Sequence, residues 1–255
     1  MPAHSGETSL TEEQFSRLVR LVGEDGLARL KSAHVAVIGL GAVGSYATEA
    51  LARAGVGHLR LVDFDAVGPS NINRQLYALH STIGKPKAEL AKARVADINP
   101  DCDILALRVF VHTDTMDTIL AAPLDLVIDA IDSLNPKTEL IAACLARGIP
   151  LISSMGAALR TDPSLVRVGP LSGVTHCPLA SALRKRLHRR GVPCDFPVVY
   201  STERTDMLPD DARGAAEAGI IDRGRQRRPM GSLPTLTGIF GLTAANTAIR
   251  MLANP

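Results

Sequence analysis

The pattern G-x-G-x-x-G at Gly39, Gly41 and Gly44 constrains this chain more than any other feature. It follows the apolar run HVAVIGL, which begins at His34, and it opens the alanine-rich stretch SYATEALARAG. The run suits a buried parallel strand and the stretch suits a helix. HLRLVDFD, from His58, reads as the next strand. Strand, glycine bend, helix and strand make one βαβ unit. Glycines are needed because the chain turns sharply there and backbone must approach any bound group closely.

The alternation continues. GKPKAELAKARVADIN reads as a helix, DILALRVFV as a strand, DTMDTILAA as a helix, LDLVIDAID as a strand, NPKTELIAACLARG as a helix and IPLISSMG as a strand. Over residues 34–156 this predicts an α/β fold with a Rossmann-like, doubly wound, mostly parallel sheet. Residues 1–32 are expected to form an N-terminal arm of two short helices, and residues 33–156 the nucleotide-binding domain. Residues 157–255 are expected to form a C-terminal α+β extension, with strands in SLVRVGPL and FPVVYSTE, a helix in PLASALRKRLHRRG and a closing helix in LPTLTGIFGLTAANTAIRMLAN. Residues 203–232, rich in Gly, Arg, Asp and Pro, are expected to be a long mobile loop.

Composition narrows the function classes. A length of 255 residues with 46% hydrophobic content supports one large α/β domain or a nucleotide domain with an appendage. A net charge of +2 gives no global argument for nucleic acid. The polar start, MPAHSGETSLTEEQ, lacks the pattern of a signal peptide. The late apolar stretch is interrupted by Asn246 and Arg250 and reads as a buried helix. The expectation is a soluble, cytoplasmic protein with no membrane span. Cys102, Cys144, Cys177 and Cys194 form no C-x-x-C pair, which argues against a structural zinc site and for reduced thiols.

The glycine bend, with Asp63 at the end of the following strand to bind ribose hydroxyls, points to an adenosine nucleotide. It does not choose NAD over ATP. The choice comes from DFDAVGPSNINRQ, which places Asp65, Asn71, Arg74 and Gln75 beyond that strand. GKPKAEL adds Lys85 and Lys87 at a helix start, and DAIDS puts Asp129 and Asp132 at a later strand end. A triphosphate calls for cations on its β- and γ-oxygens and a carboxylate for Mg²⁺; NAD does not.

VIGLGAVGS, LVDFDAV, SNINRQ, GKPK and DAIDS, in that order, resemble the signature of the adenylating enzymes. That family includes ubiquitin-activating enzymes and the thiamine and molybdopterin sulfur-carrier adenylyltransferases. RLVGEDGLARLKSAHV, DAIDSLNPK, TDPSLVRVGPL, PLASALRKRL and VVYSTE are similar to its tRNA threonylcarbamoyladenosine dehydratase branch. The resemblance implies ATP and Mg²⁺ as cofactors. By position, Gly39, Gly41, Gly44, Asp63 and Asp65 would hold adenosine. Asn71, Arg74, Gln75 and Lys87 would hold phosphates, with Asn71, Arg74 and Lys87 counted as catalytic. Asp132 would be catalytic as the Mg²⁺ ligand. Arg17 would reach the ATP of a partner subunit in a homodimer, and Gln14 stands where relatives often carry a second arginine.

The implied reaction adenylates the threonyl carboxylate of a modified adenosine in tRNA. The substrate's own carbamoyl group then closes the ring. Activation of a sulfur-carrier protein's C-terminus is the alternative, with a sulfur-transfer partner protein. An NAD-binding oxidoreductase and a non-catalytic scaffold are further alternatives from other classes. Cys177 and Cys194 read as structural thiols in preference to catalytic ones. RKRLHRR (184–190) and RGRQRR (223–228) read either as solvated charge or as contacts to tRNA phosphates.

Overall fold

A computed structural model describes residues 10–205 and 230–254. Seven strands form one sheet in the order β3-β2-β1-β4-β5-β7-β6. They are β1 (His34–Ile38), β2 (His58–Val62), β3 (Asp103–Leu107), β4 (Leu126–Asp129), β5 (Leu151–Ser154), β6 (Val166–Pro170) and β7 (Pro197–Ser201). Every neighbouring pair is parallel except β6 with β7. The sheet is therefore doubly wound, and its strand order reverses between β1 and β4, where α/β sheets open a ligand crevice.

The helices are α1 (Leu10–Ser32), α2 (Gly44–Arg53), α3 (Lys87–Ile98), α4 (Met116–Ile119), α5 (Leu134–Ala146), α6 (Pro178–Arg189) and α7 (Pro234–Ala253). Successive residues along each strand face opposite ways, so each strand feeds two cores. Val35 and Val37 pack with Leu51, Val95, Phe240 and Ala244 under α1, α2, α3 and α7. Ala36 and Ile38 pack with Ile119, Ile141, Leu183 and Leu187 under α4, α5 and α6. Because β1 is buried on both faces, its sequence is a continuous apolar run.

The two expected N-terminal helices are present as the two halves of α1, which breaks at Gly23, whose φ of 76° lies outside the helical range. DILALRVFV pairs in the sheet only over its first five residues, and DTMDTILAA forms only four helical residues. Strand pairing continues past residue 156, because β7 joins β5. Most of the expected loop at 203–232, and the whole RGRQRR cluster, lie outside the described residues. Among those described, no helix is long and apolar enough to cross a membrane.

Candidate active site

The bend after β1 is built by close backbone contact. Gly39 sits at φ +90°, and its N–H donates to the Val62 carbonyl at 2.8 Å. A Cβ on Gly44 would lie 1.7 Å from the Gly39 carbonyl oxygen, so no side chain fits there. Gly41 is different: a Cβ there would meet nothing closer than Gln75 Nε2, at 3.6 Å. Folding requires Gly39 and Gly44, whereas Gly41 is bare toward open space beside Gln75.

Asp63 directly follows β2 and is buried. Its two carboxylate oxygens accept from the Leu40 N–H at 2.7 Å and the Asp65 N–H at 2.9 Å. Burial pushes its pKa above the ordinary 3.8, while Lys87 and the two N–H groups pull it back. Lys87, the first residue of α3, is only 6% exposed. Its Nζ lies 3.3 Å from Asp65 Oδ2, and its backbone N–H donates to the Asp65 carbonyl at 3.0 Å. A buried ammonium is thereby held at the end of β2, above the glycine bend.

Asn71 closes a 3₁₀ turn, Pro69–Asn71, by accepting from the Gly68 N–H through Oδ1 at 3.0 Å. Its carbonyl takes the Gln75 N–H at 2.9 Å. Arg74 Nη1 donates to the Ser70 carbonyl and to Asn73 Oδ1, both at 2.8 Å, so the guanidinium lies along its own loop. Gly39, Gly41, Gly44, Asp63, Asp65, Asn71, Arg74, Gln75 and Lys87 all fall at the carboxyl edge of β1 and β2. Asp132 follows β4 at the same edge and is exposed. The backbone before it touches the bend, since a Cβ on Gly39 would lie 3.0 Å from the Ala130 carbonyl oxygen.

The two aspartates of DAIDS have different fates. Asp129 is fully buried and is bound by Lys137 Nζ and Ser153 Oγ, each at 2.6 Å. It has no lone pair turned to solvent and serves the fold. Lys137 falls on the apolar stripe that includes Leu140, Ile141 and Cys144 of α5, and a lysine on such a stripe was the available signal for a buried partner.

Arg17 is not brought to the crevice of its own chain. Its neighbours on α1 fix the helix at the other edge of the sheet, where Gln14 Nε2 donates to the Ile98 carbonyl at 2.7 Å. Phe15 packs there against Gly55. Gln14, Arg53, Arg94, Asp97 and Ile98 line a cavity of about 390 Å³ at that edge, remote from the glycine bend.

Three arginines of the 184–190 cluster are engaged by partners within the chain. Arg184 donates to the Leu171 and Val174 carbonyls, Arg186 to Asn135 Oδ1, and Arg190 pairs with Glu139. Lys185, His188, Arg189 and Arg190 are exposed. Burial pushes the Cys102 and Cys144 thiols up to about 12, and it also raises that of Cys194. No group of three His, Cys, Asp or Glu side chains among the described residues has the arrangement of a metal site.

The ThiF family model matches residues 15–255. A tRNA threonylcarbamoyladenosine dehydratase of Bacillus subtilis (strain 168) is 46% identical over 230 residues, 89% of this chain and 91% of that protein. The crystal structure of the Escherichia coli tRNA N6-threonylcarbamoyladenosine dehydratase TcdA in complex with ATP is similar, with a TM-score of 0.84 and 34% identity. That match covers 96% of each chain. The same enzyme in complex with AMP also gives a TM-score of 0.84. A shared family model over nearly the whole chain, together with this identity, places the chain: it belongs to the ThiF family.

Proposed function

We propose that this chain is an ATP-dependent tRNA threonylcarbamoyladenosine dehydratase, acting as a homodimer in the cytoplasm, where its tRNA substrate resides. The observation that carries the reading is the meeting of a buried ammonium, Lys87, with the half-exposed Asp65 beside the buried Asp63, above the glycine bend. The 46% identity to a dehydratase over 89% of the chain supports the choice of substrate.

A carboxylate is a poor acyl donor because its leaving group is oxide. In the first step the threonyl carboxylate oxygen attacks the α-phosphorus of ATP, and pyrophosphate leaves. Asp63 accepts from ribose hydroxyls through the lone pairs that Leu40 and Asp65 leave open. Gly41 admits the nucleotide backbone, and Gln75 lines its approach. Lys87, Arg74 and Asn71 bind the phosphate oxygens, where fixed positive charge lowers the barrier by positioning and neutralisation. In the second step the substrate's carbamoyl group attacks the activated carbonyl, AMP leaves, and one proton is released. The net change is loss of one water from the nucleoside. No enzyme thiol is required in that step.

Asp132 fits a magnesium ligand. Mg²⁺ is usually held by one or two carboxylates plus substrate phosphates rather than by a protein cage, and Asp132 is an exposed carboxylate at the phosphate edge. When bound, the ion would neutralise charge on the triphosphate. Arg17, at the far edge of its own chain, would serve the nucleotide of the partner subunit.

The test is incubation with Mg-ATP and tRNA carrying the threonylcarbamoyl mark, followed by mass analysis of the nucleoside. Loss of one water, with stoichiometric AMP, is the expected result. Pyrophosphate exchange driven by a Gly-Gly carrier tail, with no change in the tRNA, would favour the carrier-protein reading instead.

A further inference from the structure

Arg160 lies in the loop that leaves β5 at the same carboxyl edge, and it is 2% exposed. Its Nη2 donates to the His176 carbonyl at 2.7 Å. Its Nε and Nη1 are buried and have no hydrogen-bond partner among the described residues. A guanidinium is always charged and carries five donors, so most of this group's capacity is unused. Buried polar groups in native proteins are almost always satisfied, and an orphaned charged fork needs an explanation.

The nearby carboxylate does not supply it. Glu203, at the end of β7, is taken up by the Thr161 N–H and hydroxyl and by the Asp162 N–H. Against burial, these bonds and the Arg160 charge hold the Glu203 carboxyl below its usual range, but the bonds occupy the carboxylate oxygens and leave Arg160 Nε and Nη1 without a hydrogen-bond acceptor among the described residues. The carbonyl that Arg160 does hold belongs to His176, just before Cys177, which caps α6. The positive end of a 12-residue helix therefore lies beside the unpaired fork.

Two hydrogen bonds tie this loop to the phosphate-binding loop. The Leu159 N–H donates to the Gly231 carbonyl at 2.9 Å, and Asn73 Nδ2 donates to the Ser232 carbonyl at 3.4 Å. Gly231 and Ser232 are adjacent, so the neighbours of Arg160 and of Arg74 are held by one short segment. β5 lies beyond β4 from the glycine bend, which puts Arg160 on the side away from the adenosine.

We infer that Arg160 is a substrate-binding residue that pairs with an oxyanion of the modified tRNA as it enters beside the triphosphate. This rests on the dehydratase reading above. A bidentate pair through Nε and Nη satisfies the orphaned donors and fixes the orientation of a planar carboxylate or a phosphate. A group this buried is reached only by shifting a neighbour.

The experiment compares the wild type with R160Q and R160K in steady-state cyclisation of the modified tRNA. The expected result for R160Q is a KM for tRNA raised at least about tenfold, the weight of one charge-assisted hydrogen bond, with the KM for ATP unmoved. R160K restores part of the loss. The free modified nucleoside, which has the carboxylate and no phosphate, identifies the source. Its binding weakens in R160Q if the threonyl carboxylate is the partner. Competition by unmodified tRNA weakens instead if the partner is a backbone phosphate.

A tRNA KM unchanged in R160Q, or a change confined to the KM for ATP, overturns the assignment while leaving the dehydratase reading intact. A wild-type protein that never cyclises the nucleoside overturns both. If both variants fail to fold, Arg160 is a structural fastener of the His176 carbonyl and the assignment falls.

Discussion

Lys137 Nζ lies 2.6 Å from Asp129 Oδ2, and neither side chain is exposed to solvent. The pair joins α5 to β4, and Ser153 of β5 completes it by donating to the same oxygen while accepting from Lys137 at 3.0 Å. Asp129 Oδ1 takes the Ile131 N–H at 3.1 Å, which fixes the start of the loop that carries Asp132. Removing one partner leaves a buried charge unpaired. Lys137→Met is expected to cost about 3–5 kcal/mol in urea denaturation. The double variant Lys137→Met, Asp129→Asn should cost less than the sum of the two single changes, because neither charge is then stranded. Additive single effects would show that the two side chains are not coupled.

Two glycines of one motif should behave in opposite ways. Gly44→Ala would place a methyl group 1.7 Å from a backbone carbonyl, so it should prevent stable folding or shift the bend. Gly41→Ala meets only the far end of the Gln75 side chain at 3.6 Å, so its melting temperature should match the wild type. If nucleotide backbone approaches Gly41, the same variant should lose ATP affinity in calorimetry. A Gly41→Ala protein that binds ATP normally removes this glycine from the site.

These differences mark where the sequence was legible. The β1-α2-β2 unit could be read because each of its signals is local: an apolar run, glycines at a bend, an acid at a strand end. The fate of Asp129 was not local. It depends on Lys137 arriving from a helix and Ser153 from the next strand, so Asp129 and Asp132 looked equivalent along the chain. The insertion of β7 between β5 and β6 is likewise a matter of long-range pairing that no period in FPVVYSTE encodes. In RKRLHRR the charge was visible, but the carbonyls of Leu171 and Val174 that occupy Arg184 were not. Arg160 carried no signal at all, since an arginine before TDP in a loop reads as solvated.

Lys87→Ala and Asp132→Ala separate chemistry from stability. The Lys87–Asp65 contact joins a buried ammonium to a half-exposed carboxylate and by itself contributes only about 1 kcal/mol to folding, but Lys87 also offsets the buried Asp63 carboxylate, so urea midpoints of Lys87→Ala must be measured beside its turnover. Asp132 is exposed and its loss should be smaller still. In turnover of the modified tRNA each variant should lose about a hundredfold or more, the usual cost of removing one preorganised electrostatic contact. Full-rate turnover in either variant would take that residue out of the mechanism.

Asp63 predicts two opposite pH dependences in one window. Its folded pKa is raised by burial above the ordinary 3.8. The folded protein therefore holds this proton to higher pH than the unfolded chain does, and stability from this group falls as pH rises through the interval between the two values. Above the interval the penalty is constant. Ribose recognition requires the ionised acceptor, so ATP affinity should rise across the same interval in which the unliganded protein loses stability. Glu49 and Glu139, held below their usual range against burial by arginine partners, contribute stability with the opposite sign. Asp63→Asn isolates the effect: the variant should lose the rise in ATP affinity while the slopes from Glu49 and Glu139 persist. Calorimetry with ATP and urea midpoints at matched pH values measure both. A wild-type affinity that stays flat over that interval would exclude the Asp63 carboxylate from nucleotide recognition.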